Sequence, residues 1–176
     1  PDPSPSTSLA VQIIFLFVLI LINAFFALAE MSIVSANKNK IKVLAQDGNK
    51  KAVLLQKLLE EPNKLLSTIQ VAITLAGFLA SASAAVALSD DLGAFLTKFG
   101  IPYGNQIAVV LVTMILSYIT LVLGELYPKR IALQHSETIA MMVVKPLIVM
   151  SKITKPFVWL LSVSVNLLLR LTRQSV

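Results

Sequence analysis

The chain has 176 residues, 56% of them apolar and only 14% charged, with no cysteine and a formal net charge of +6. Ordinary soluble domains are about 45–50% apolar and about 25% charged, so a soluble enzyme is disfavoured. The apolar content excludes a disordered basic tail, the lack of Cys excludes a disulfide scaffold, and what remains is a membrane protein or membrane domain.

Residues 1–8, PDPSPSTS, read as a flexible lead. Leu9 to Leu28 is then a run of 20 uncharged residues, enough to cross a hydrocarbon core of about 30 Å. A cleaved signal peptide would carry a cation before such a run; here the first cation, Lys38, comes after it, so a retained span over about 9–35 is expected. Residues 37–61 hold Ile41, Leu44, Val53, Leu54, Leu58 and Leu59 at helical spacings around an Asp47-Gly48-Asn49 break, with lysines between. That pattern predicts a helical hairpin lying on the inner headgroups rather than a solvated loop.

Glu61-Pro62 leads into the uncharged run Leu65–Leu88, with proline suited to a first helical turn; span two is placed at about 63–88. An outer loop follows at 89–104, and span three, built on Ile107–Leu123, at about 105–126. Ile139–Leu169 is apolar but carries Lys145, Lys152, Lys155, Pro146 and Pro156. A central cation costs about 2.5–3.5 kcal/mol on insertion scales, so residues 128–173 are expected as kinked amphipathic helices forming a juxtamembrane belt rather than a fourth span.

The cations orient these elements. Seven (Lys38, Lys40, Lys42, Lys50, Lys51, Lys57, Lys64) lie between spans one and two, seven (Lys129, Arg130, Lys145, Lys152, Lys155, Arg170, Arg173) follow span three, and only Lys98 lies between spans two and three. The positive-inside rule puts the first connection and the C-terminus in the cytoplasm, and the N-terminus and the 89–104 loop outside. The basic excess therefore orients a multi-pass plasma-membrane protein on anionic lipid, and no nucleic-acid partner is expected. The expected fold is all-α: three transmembrane helices, a cytoplasmic helical hairpin and an amphipathic belt.

Polar groups within the spans need partners, and an intramembrane acid is a functional candidate by default. Asn23, Ala27 and Glu30 share one stripe of span one, although Glu30 could equally lie solvated near the interface. Ser67, Gln70, Thr74, Gly77 and Ser81 form a polar, small stripe on span two, either a helix-packing seam or a seam plus a polar cavity. Thr113, Ser117, Thr120 and Gly124 share a stripe of span three, followed at once by Glu125 and Leu-Tyr-Pro-Lys-Arg. Pro128 has no N–H, so the Gly124 carbonyl is expected to lack its helical partner. A carboxylate beside a freed carbonyl at a broken helix end suits a hard cation, which takes oxygen ligands. The plain alternative pairs Glu125 with Lys129 one turn on. The single His135 reads as a surface residue, and no catalytic apparatus is recognisable, so no enzyme is expected.

The runs Asn23-Ala-Phe-Phe-Ala-Leu-Ala-Glu-Met-Ser-Ile-Val-Ser35, Pro62-Asn-Lys-Leu-Leu-Ser-Thr-Ile-Gln-Val-Ala-Ile-Thr-Leu-Ala-Gly77 and Gly124-Glu-Leu-Tyr-Pro-Lys129 together resemble the transmembrane domain of the CorB/CorC/CNNM magnesium transporters, whose bacterial members are often labelled hemolysin-like. The resemblance covers roughly residues 9–175. It implies a homodimer that binds Mg²⁺ in an acidic, inward-facing cavity, and in longer relatives a pair of ATP-binding CBS domains, often with a CorC-type domain beyond. Neither fits within these 176 residues. Many relatives have Ser at the position of Ala27 and Gly-Asn at Ala72-Ile73, so two side-chain oxygens that the resemblance implies are missing.

The expected function is a Mg²⁺ transport domain, with export as the favoured direction. Glu125 is the principal anionic ligand and the Gly124 carbonyl the second. Gln70, Thr74 and Ser67 supply neutral oxygens, Ser32 or Asn23 contributes from span one, and Glu30 adds negative potential. Two rivals stand beside it: a membrane anchor and dimerisation module that serves attached cytoplasmic domains, and a Na⁺- or H⁺-coupled exporter.

Overall fold

A computed structural model describes residues 5–172, with side chains from residue 10 onward except at 63, 64 and 84–87. The expected lead therefore falls partly outside the described residues, as does Arg173. The described chain is helical throughout: α1 (Pro5–Ser35), α2 (Lys38–Gln46), α3 (Lys50–Leu58), α4 (Pro62–Lys98), α5 (Gly104–Leu121), a π-turn (Val122–Leu126), α6 (Tyr127–Gln134) and α7 (Ser136–Leu171).

Four stretches are long and apolar enough to cross a membrane: Ala10–Ser35, Leu65–Lys98, Gly104–Gln134 and Ser136–Leu171. The expectation named three. The fourth is α7, a single 36-residue helix that carries Pro146 and Pro156 inside it instead of separate kinked pieces. A proline removes one N–H and crowds one carbonyl, and in α7 neither proline ends the helix.

The chain divides into two compact units. One holds the chain up to Leu28 together with Ala72–Ile131; the other holds Ala29–Val71 and the chain from Ala132 onward. In the first unit Leu16, Leu19, Ala80 and Val112 form a buried cluster, with Leu88, Leu92 and Leu116 packed on it. The corner between α4 and α5 is tight. A Cβ on Gly104 would lie 2.6 Å from Thr97 Oγ1, 3.0 Å from Thr97 N and 3.1 Å from the Gly93 carbonyl, and one on Gly93 would overlap Asn105 Oδ1. Only glycine permits so close an approach. Gly100, at φ 75°, closes α4: its N–H reaches Thr97 O and the next N–H, of Ile101, reaches Leu96 O, which satisfies carbonyls that the helix end leaves open.

In the second unit α2 and α3 pack on each other and α3 packs on α7. Their turn follows from its residues. Gly48 (φ 85°) takes the left-handed position, with Gly48 N–H on Ala45 O and Asn49 N–H on Leu44 O. Asn49 then caps α3 by accepting from Lys51 and Ala52 N–H, as Asn37 caps α2 by accepting from Asn39 and Lys40 N–H. Ile41 and Leu55 are fully buried here, and Ser136, Ile139, Ala140, Val143, Val144 and Leu147 form the buried stripe of α7. Beyond Leu147 the described part of α7 buries no side chain. Lys40 lies 3.6 Å from Glu137, joining α2 to the first turn of α7.

A candidate cation site at the π-turn

The sequence places Pro128 four residues after Gly124, so the ordinary helical bond between them cannot form. The expected outcome was a broken helix. Instead the turn widens: Tyr127 N–H reaches Val122 O, five residues back, and the helical path from Gly104 continues through α6 to Gln134. Pro128 donates nothing in the wider turn either, and such π-turns recur at functional sites. Helicity therefore runs well past the expected end of span three near 126.

The Gly124 carbonyl is not left free, either. It accepts a 2.9 Å hydrogen bond from Asn23 Nδ2, on α1 and 101 residues earlier in the chain. Gly124 makes this possible, because a Cβ there would sit 3.1 Å from that nitrogen and 3.5 Å from Ile20 O and Thr120 Cγ2. Asn23 is only 5% exposed. Since the carbonyl fixes which end of the amide is the donor, Oδ1 points the other way, and it is buried without a hydrogen-bond partner. An unsatisfied buried acceptor of this kind costs about 1–3 kcal/mol, so its retention calls for a reason. Glu125 follows directly and is half-buried; its Oε1 accepts from Lys129 Nζ at 3.0 Å. The plain i,i+4 pair is thus present, and a partly exposed pair of this type contributes little to stability.

Of the sequence-derived candidates, Asn23, Thr74, Gly124 and Glu125 belong to the first unit, and Glu30, Ser32, Ser67 and Gln70 to the second. The structure brings Asn23 onto Gly124, with Glu125 adjacent in the chain. Thr74 is exposed on α4. Within the second unit Ser32 is fully buried and bonds back to Ala29 O at 2.9 Å, Glu30 is half-buried, and Ser67 and Gln70 are exposed. Of the rest of the α4 stripe, Gly77 is half-buried and Ser81 exposed. On α5, Thr113 and Ser117 are exposed, and the buried ladder runs through Ala108, Val112 and Gly124, with Leu116 and Thr120 half-buried. Steps of four advance by about 40° each, so the buried line winds around the helix and leaves those two hydroxyls outside.

Among the described residues no three His, Asp or Glu side chains gather where they could hold a metal ion. A cation here must be met by one carboxylate and neutral oxygens. The groups at hand fit that description: the Glu125 carboxylate, the Gly124 carbonyl and the Asn23 amide oxygen, all hard ligands.

Residues 13–175 match the cyclin M (CNNM) transmembrane N-terminal domain. The chain belongs to this family. Relatives of the CNNM domain include a UPF0053 protein of Synechocystis, 40% identical over 152 residues that make up 85% of this chain and 34% of the relative. The inner membrane protein YfjD of Escherichia coli is 30% identical over 85% of this chain and 32% of its own length. A polyamine export protein of Haemophilus influenzae is 29% identical over 87% of the chain and 36% of its length. The chain thus spans about a third of the length of these relatives. This CNNM domain is a multi-pass membrane domain, as its four long apolar helices and the inner-membrane relative indicate.

Proposed function

We propose that this CNNM domain binds Mg²⁺ at the π-turn as cargo and passes it across the plasma membrane, outward. One observation carries the reading: the Glu125 carboxylate follows a glycine carbonyl on which a buried asparagine amide converges, and that amide keeps one oxygen unmatched. Glu125 supplies the charge, Gly124 and Asn23 supply neutral oxygens, and Lys129 holds the carboxylate until the ion displaces it. Thr74 on α4, in the same unit, is a further oxygen donor.

The reading includes a homodimer. Ser67, Thr74 and Ser81 are exposed on one chain, and nothing lies within 4 Å of a Cβ built at Gly77. Small residues along a helix let a neighbouring membrane helix approach closely, and a second copy supplies such a helix. It also includes three crossings, with the α2–α3 pair and α7 on the inner surface, their lysines on anionic lipid. The rest of a longer protein, such as cytoplasmic CBS domains, would attach there. Because the chain has no native cysteine, single-cysteine labelling reads this directly. Lys98→Cys is expected to react with an impermeant maleimide from outside, and Arg170→Cys only from the cytoplasmic side. Labelling of both from outside would make α7 a fourth crossing.

Mg²⁺ protection of the purified domain against heat tests the site. Protection that survives Glu125→Ala intact would remove Glu125 from it. One observation favours a second cargo: a primary ammonium, that of Lys129, already sits 3.0 Å from Glu125, and the Haemophilus relative is named a polyamine exporter. Spermidine protection that depends on Glu125, in the absence of any Mg²⁺ effect, would favour that cargo.

A further inference from the structure

We propose that the Asn23 amide is a two-position switch for the cation, an idea that rests on reading Gly124 and Glu125 as the cation site. Without a cation, Nδ2–H donates to the Gly124 carbonyl. With one, the amide turns over about χ2, so that Oδ1 faces that carbonyl and the two oxygens hold the ion as adjacent ligands.

The geometry points there in two ways. First, turning an amide over exchanges O and N at almost unchanged positions, so the 2.9 Å separation between Asn23 Nδ2 and Gly124 O becomes an O···O separation. Neighbouring oxygens in an octahedral Mg²⁺ shell at about 2.0–2.1 Å stand about 2.8–3.0 Å apart. The hydrogen-bonded pair already has the edge length of the metal's coordination octahedron, and no backbone movement is needed. A primary ammonium does not match this edge. Two oxygens accepting from one tetrahedral nitrogen at about 2.8 Å lie roughly 4.6 Å apart.

Second, no hydrogen bond locks the far end of the amide in its donor position: Oδ1 is buried there without a partner. In the turned position Nδ2 takes its place with two N–H donors, so the ion's contacts must outweigh that exchange as well. Two facing oxygens repel unless a cation lies between them, so the ion stabilises one position and its absence the other. This is the differential affinity that any ligand-driven shift requires. It also gives the buried orphan oxygen a purpose: a partner on that side would lock the amide in its donor position.

The test follows the amide itself. In domain labelled with ¹⁵N-asparagine, the Asn23 side-chain resonance is assigned by its loss in Asn23→Asp. Without Mg²⁺ one of its two protons is expected to be shifted downfield and slow to exchange. On Mg²⁺ addition that proton should move upfield and exchange faster, with the midpoint of the thermal protection, while spermidine leaves it in place. Asn23→Asp keeps the oxygen but cannot donate; it should be less stable than wild type without Mg²⁺ and show a larger Mg²⁺-induced rise in Tm. Asn23→Leu should weaken Mg²⁺ protection roughly tenfold or more. If protection is normal and depends on Glu125 but the Asn23 resonance stays put, or if the Asp and Leu variants behave alike, the switch is wrong and the site stands. If Mg²⁺ protects neither wild type nor any variant, or protects Glu125→Gln equally well, the site falls and the switch with it.

Discussion

Two glycine–asparagine contacts lie in the same compact unit, one at the start of α5 and one just past its end, and they do different work. At the first, Gly93 meets Asn105 and Gly104 meets Thr97. Asn105 is exposed, so its amide has water available, and the glycines serve to bring two helices close. At the second, Gly124 meets Asn23, which is buried and keeps an unpartnered oxygen. Close packing accounts fully for the first contact. The second adds a hydrogen bond to a carbonyl that Pro128 deprives of its ordinary helical donor, and it leaves one amide oxygen buried without a partner. The difference separates a glycine kept for shape from one kept for its carbonyl.

Substitutions can break that distinction. Gly104→Ala carries the largest expected effect, because its Cβ meets Thr97 N and the Gly93 carbonyl, which are backbone, and Thr97 Oγ1, which is already bonded to Gly93 O at 2.8 Å. Overpacking of about 1–3 kcal/mol should lower Tm with no change in Mg²⁺ midpoint. Gly124→Ala should destabilise by about 1 kcal/mol by pushing the Asn23 amide off its carbonyl, and unlike Gly104→Ala it should also weaken Mg²⁺ protection. Asn23→Leu sharpens the contrast further. It removes the orphan oxygen but also takes the Asn23 donor from the Gly124 carbonyl, so thermal unfolding should shift by about 1 kcal/mol while Mg²⁺ protection weakens roughly tenfold or more. Asn105→Ala is the smallest: within about 0.5 kcal/mol, with Mg²⁺ protection unchanged, and it should relieve part of the damage from Gly93→Ala.

Much of this architecture was legible in the chain itself. Two helices around Asp47-Gly48-Asn49 could be read from that break and the apolar spacings beside it, while the left-handed Gly48 and the Asn49 cap came from the structure. Family membership was readable from Gly124-Glu125, Pro128-Lys129 and the Asn23–Ser35 run. The Gly124 carbonyl could be singled out from Pro128 alone. Its fate could not. A missing N–H says that a helical bond is absent, but whether the chain then breaks, widens or finds a side chain depends on what packs alongside. The same gap applies to the α5 stripe, where a fixed angle per residue picks a face without saying which of its members neighbouring helices cover: Thr113 and Ser117 are exposed, Thr120 is half-buried and Gly124 buried. For α7, lysines and prolines argued for separate pieces, yet the stripe from Ser136 to Leu147 packs the first half as one continuous helix.

The sequence by itself determined that this is an all-helical membrane domain of the CNNM family, with a proline-disturbed turn at Gly124. Composition and periodicity act locally, so they need no neighbours to be read. Only the tertiary structure decided that the turn widens into a π-turn and that Asn23, 101 residues away, delivers its amide to the Gly124 carbonyl. A contact at that separation is set by which faces of α1 and α5 come together, and packing chooses those faces.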